Sequence, residues 1–152
     1  MLRLTVALTL AALPALADPS YPEPQVMDCE WQASASAIVE PWAQNTRTFS
    51  DGKTRLAMLD TVEPAAGWAY LLILSPPYSE LGDRQCKLIG TGGMGFSGMD
   101  FSGLQAEYDP AQGLIFTLPV QFYQYGPEDL AWRTIRVVLN QATGQIDTWV
   151  LD

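Results

Sequence analysis

Leu114, Phe116, Leu118, Val120 and Phe122 occupy every second position of one run, and this period of two constrains the fold more than any other feature of the chain. Side chains two apart point to the same side of an extended backbone but scatter around a helix axis, so the run predicts a strand with one face in a core. Leu104, Ala106 and Tyr108 share a parity just before it, and Asp109-Pro110-Ala111-Gln112-Gly113 between the two runs has the composition of a turn. The pattern recurs. Ile135, Val137 and Leu139 face Ile146, Thr148 and Val150 across the stretch 140–144. Earlier, Asp51-Gly52 separates a Thr-rich run from an apolar one and supplies the positive φ of a hairpin turn, predicting strands near 45–50 and 53–61.

Two segments read differently. Residues 68–74 are apolar at both parities, which predicts a central strand covered on two faces and stopped by Pro76-Pro77. From Trp31 to Val39 the odd positions are Trp31, Ala33, Ala35, Ala37 and Val39, predicting a strand with a small-residue face. The same alanines suit a helix that Pro41 would end, which would make the fold α+β. Short strands with frequent turn signals predict an all-β, single-domain antiparallel sandwich or small closed barrel built from hairpins.

The chain opens with Arg3, an apolar run to Leu16 and the small pair Ala15 and Ala17, the pattern of a signal peptide cleaved after Ala17. Residues 18–28 carry three prolines and read as an extended N-terminal tether. The single β-rich domain is then expected over 29–152, in a periplasmic or secreted protein with no membrane anchor. The formal charge is −9 and becomes −10 when Arg3 leaves with the leader, which disfavours nucleic acid, whose phosphates call for Lys and Arg. Cys29 and Cys86 are the two cysteines, an even pair that an oxidising compartment joins, so one structural disulfide is expected.

Chemistry-bearing motifs are few. Gly90, Gly92 and Gly95 follow the strand-like 87–89 in G-x-G-x-x-G spacing, but a dinucleotide fingerprint needs a helix next, and Gly98 and Gly103 oppose one. The stretch reads instead as backbone at a strand edge or crossing where side chains would clash. It also nearly fits one calcium repeat, G-G-x-G-x-D, with Ser97 in place of the Asp ligand and no second copy to stack on it. With no histidine, Ser-His-Asp and Cys-His catalysis are excluded, and two lone thiols do not complete a zinc shell. Neither a metal nor a cofactor is expected. The near carboxylate pairs are Asp60 with Glu63, Asp100 with Glu107, and Glu128 with Asp129; they would matter to a hydrolase but arise freely in an acidic chain.

The stretches NTRTFSDGKTRLAMLDTVEPAAG and LLILSPPYSELGDRQC resemble small exported proteins of alphaproteobacteria that have no assigned function. In outline the chain is also similar to bacterial inhibitors of c-type lysozyme. That family's S-G-x-x-Y loop is approached by residues 97–101, which end in Phe101. The expected function is a non-enzymatic binding module, with a lysozyme-inhibitor-like protein, a small apolar-ligand carrier and a carboxylate-dependent hydrolase as alternatives. The expected binding segment, 91–130, has no base and combines Asp100, Glu107, Asp109, Glu128 and Asp129 with Phe96, Phe101, Tyr123 and Tyr125. Its carboxylates would steer a basic envelope protein and its aromatics would make the contact. Tyr123 and Tyr125 share a parity with Gln121, near Trp132, and suit either a ligand or a core wall.

Overall fold

The computed structural model describes residues 22–123 and 130–151. Strands β1 (Pro24–Asp28), β2 (Thr46–Phe49), β3 (Thr54–Asp60), β4 (Ala69–Tyr78) and β5 (Arg84–Thr91) form one antiparallel sheet in the order β1-β5-β4-β3-β2. Strands β6 (Gly98–Met99), β7 (Gln105–Asp109), β8 (Gly113–Tyr123), β9 (Leu130–Leu139) and β10 (Ile146–Val150) form the other. In that sheet β8 pairs with β9 on one side and with β6 and β7 in turn on the other. The two sheets do not close into a barrel, so the architecture is the sandwich.

The alternation read in the sequence makes the core. Leu114, Phe116, Leu118, Val120 and Phe122 of β8 and Ile135, Val137 and Leu139 of β9 are all buried, facing Leu56, Leu71, Ile73 and Ile89 of the first sheet. Ring contacts tie the layers: Phe49 to Phe116 at 5.0 Å and Phe96 edge-on to Phe122 at 5.3 Å. The parity of residues 104–108 holds only at Leu104; Ala106 and Tyr108 are exposed, because β7 is an edge strand open on both faces.

β4 is the expected central strand, with Leu71 and Ile73 in the sandwich core and Tyr70 and Leu72 buried on the opposite face. It does not stop at Pro76-Pro77. The ladder passes from Ser75↔Gln85 to Tyr78↔Arg84, and the prolines sit in that irregularity, where a missing N–H leaves no ladder bond unmade.

Two expectations near the N-terminus are corrected. Residues 24–28 are extended as expected but are a strand, β1, antiparallel to β5, so the fold begins before Cys29. An edge position with proline first accommodates the missing donor. Residues 31–39 are neither strand nor regular helix: a turn at 30–33 leads into one 3-10 turn, Ala35–Ala37, and a lone bridge joins Ile38 to Leu59. Ala37 and, in part, Ala33 and Ile38 pack on Leu59, Tyr70, Leu72 and Leu88, so the small side chains let this segment lie flat as a cover on the first sheet. Cys29 and Cys86 form the expected disulfide at one end of the cover.

The glycine stretch is a crossing. Gly92 and Gly93 have φ of +59° and +76° between residues bonded as Thr91 N to Met94 O and Met94 N to Thr91 O, a two-residue turn that demands positive φ at both central positions. A Cβ at Gly90 would lie 2.1 Å from Met94 O, and one at Gly95 2.6 Å from Ala69 O. The chain continues into β6 and one 3-10 turn, Phe101–Gly103, not the helix that a dinucleotide site needs.

Candidate binding surface

Register fixes which side chains share the outer face of the second sheet. Opposite in parity to the core residues, β8 and β9 pair Tyr123 with Leu130, Gln121 with Trp132, Pro119 with Thr134 and Thr117 with Arg136. From β10, Trp149 is paired with Arg136 on the same face. Tyr123, Leu130, Trp132 and Trp149 are each about half exposed. Farther along, Ile115 and Val138 share the face and are buried, so its apolar surface is open chiefly at the Trp132 end.

Trp132 is the best-defined element of this surface. β6 pairs Gly98 with Gln121, so Trp132, Gln121 and Gly98 form one row across three strands. A Cβ at Gly98 would lie 2.9 Å from Gln121 Oε1 and 3.6 Å from Trp132 Cη2. The indole therefore reaches across β8 and lies along the sheet, and a side chain at Gly98 would crowd it. A depression of about 290 Å³ beside it is lined by Pro119, Trp132, Arg133 and Thr134. Arg133 Nη1 donates to Trp132 O at 2.8 Å, and the arrangement offers apolar contact with hydrogen-bonding groups at its margin.

The residues expected to bind a partner separate into three groups. Phe96 and Phe101 are fully buried core side chains and present no surface to a partner. Their positions read as contact residues because sequence alternation is lost in the loops around them. Asp100 and Asp109 close turns. Asp100 Oδ1 accepts from Ser102 N, Ser102 Oγ and Gly103 N, and the Ser102 hydroxyl above all holds its carboxyl below the ordinary carboxylate range, against a smaller opposing effect of burial. Asp109 Oδ1 accepts from Ala111 N and Gln112 N. Glu107 and Tyr123 are exposed, on β7 and on the outer face respectively. Tyr125, Glu128 and Asp129 lie outside the described residues.

Nor is the acidic segment base-free in space. Arg47 of β2 donates to Leu104 O at 2.6 Å, and its guanidinium lies 5.6 Å from the Phe101 ring centroid. Of the other carboxylates, Asp60 accepts from Val62 N and Glu63 from Ala65 N, both within one loop. The Ser97 hydroxyl donates to Ala66 O, a bond inside the fold. No sequence motif singles out Trp149 or Leu130 as a site residue, although Trp149 stands at the parity opposite to Ile146, Thr148 and Val150 and is therefore legible as outward-facing.

No family model, curated protein or solved structure matches this chain.

Proposed function

We propose that the chain is an exported, non-enzymatic binding module of the cell envelope that meets a basic partner protein through the outer face of its second sheet. The observation that carries this reading is the asymmetry of the sandwich. The strands of the first sheet are covered on their outer face by the chain's own residues 29–39, whose Trp31 is itself exposed, whereas the second sheet has no such cover among the described residues and its own strands expose Tyr123, Leu130, Trp132 and Trp149. Aromatic side chains are the groups that contribute most when a contact is desolvated. A formal charge of −9 supplies long-range attraction for a basic partner without requiring an acidic contact patch.

Export is supported by the leader-like pattern of residues 1–17, which lie outside the described residues, and by the disulfide, which fits an oxidising compartment. Among the described residues no helix is long and apolar enough to cross a membrane. A carrier of an apolar ligand would need room between the sheets, where Phe49, Phe96, Phe116 and Phe122 instead pack ring to ring.

Capture of basic envelope proteins, c-type lysozyme included, by the immobilised mature chain tests the reading. Trp132→Ser with Trp149→Ser is expected to lower capture at least about tenfold, and raising salt through about 0.1 M, where the screening length is ~10 Å, is expected to slow association. Equal capture by the double variant, in a fold shown intact by circular dichroism, would remove the outer face from the account.

A further inference from the structure

On the other side of the sandwich, the cover on the first sheet meets the end of β3 in a depression of about 280 Å³ whose lining includes Trp31, Gln32, Ser34, Ser36, Asp60 and Val62. Both of its walls are pinned. Cys29, two residues before Trp31, is tied to Cys86 in β5, and the far end of the cover is held to β3 by the Ile38–Leu59 bridge and by Val39 N donating to Met58 O at 3.0 Å. β3 ends at Asp60, whose Oδ1 accepts from Val62 N at 2.7 Å, and Val62 takes φ of +67°, a conformation that a β-branched residue rarely adopts. Trp31 and Val62 are left 66% and 73% exposed on this lining.

The polar groups here are rich in acceptors. Gln32 Oε1 is buried with no hydrogen-bond partner among the described residues. The hydroxyls of Ser34 and Ser36 lie 2.8 Å apart, and Asp60 adds a carboxylate. Among the described residues no Lys or Arg lines the depression, so an anionic ligand would meet Asp60 without a counter-charge. Such a site suits a small ring with an apolar face for the indole and several O–H or N–H donors at its edge, and the volume is near the lower bound of ligand pockets.

We propose that this depression binds one saccharide residue, uncharged or amine-bearing, with its ring against Trp31 and its donors on Asp60 and the two serines. The site is on the face opposite to the aromatic surface and stands or falls separately from the partner reading.

The test is an NMR titration of the full mature chain with glucose, glucosamine and glucuronate, which share one ring and differ in charge. Saturable shifts of the Trp31 indole N–H and the Ser34, Ser36 and Val62 amides are expected with the first two. Glucosamine should bind more tightly than glucose, and glucuronate at least about tenfold more weakly. Trp31→Ala should lower affinity about tenfold while Trp31→Tyr retains most of it, and Asp60→Asn should abolish the advantage of glucosamine. Methyl glucosides, which block the anomeric hydroxyl, distinguish a residue within a glycan, which they mimic, from a free sugar, which they do not. Absence of saturable shifts with both glucose and glucosamine, glucuronate binding as tightly as glucose, or undiminished affinity in a folded Trp31→Ala chain would each overturn the proposal.

Discussion

Asp100 shows how a charge that looks available in the sequence is used inside the fold. Its carboxylate receives the Ser102 hydroxyl and the N–H groups of Ser102 and Gly103, closing the 3-10 turn that follows β6. These bonds favour the ionised form, so the folded-state pKa lies below that of the unfolded chain. Stability from this group is therefore present above about pH 4 and is lost as pH falls through the depressed folded value. Urea midpoints of the native chain and Asp100→Asn should differ at pH 6, and the gap should narrow as pH falls below about 4; a gap that stays constant with pH would contradict the assignment. Asp60, Glu63 and Asp109 close turns likewise, a use that charge and spacing alone do not disclose. For Tyr123 the sequence leaves ligand contact and core wall open, and the pairing with Leu130 places it on the outer face, whereas Phe96 and Phe101, outside any long alternating run, are not legible as core.

Among the elements, those with long alternation were read correctly. The hairpins of β2 with β3, β7 with β8 and β9 with β10 have turns marked by Gly52, Gly113 and Gly144, each at positive φ. Residues 31–39 misled because the burial of Ala37 comes from contact with the first sheet, a tertiary cause that imitates a period of two. The three prolines of residues 18–28 hid β1 for a related reason: pairing with β5 depends on a partner far along the chain. The G-x-G-x-x-G stretch was legible as a crossing because its glycines lack the helix that phosphate binding requires. The crossing predicts a graded response to alanine. Gly90→Ala, whose new Cβ would meet the Met94 carbonyl at 2.1 Å, should cost about 3 kcal/mol or more. Gly52→Ala, at φ of +80° with nothing within 4 Å of a new Cβ, should cost only about 1 kcal/mol. Thermal or urea unfolding of the two variants measures the difference, and equal losses would contradict the close approach at Gly90.

At the scale of the whole molecule, the sequence left sandwich and barrel open because closure depends on how sheet edges meet, and no local pattern encodes that. The edges of β1 and β10 approach, with Thr148 Oγ1 donating to Pro24 O at 2.8 Å, but the strands are not joined in one ladder. The result is two unequal outer faces. The strands of one are covered by a disulfide-anchored segment of the same chain; those of the other are uncovered among the described residues and carry Tyr123, Leu130, Trp132 and Trp149 toward solvent. Site-specific photocrosslinking in the intact envelope tests this inequality. A photoreactive residue at Thr134, beside Trp132 on the open face, is compared with one at Ala35, exposed on the segment that covers the other face. A discrete crosslinked protein is expected from Thr134 alone, lost when Trp132→Ser and Trp149→Ser are introduced. Equal crosslinking from both positions, or a product at Thr134 indifferent to the two tryptophans, would contradict it.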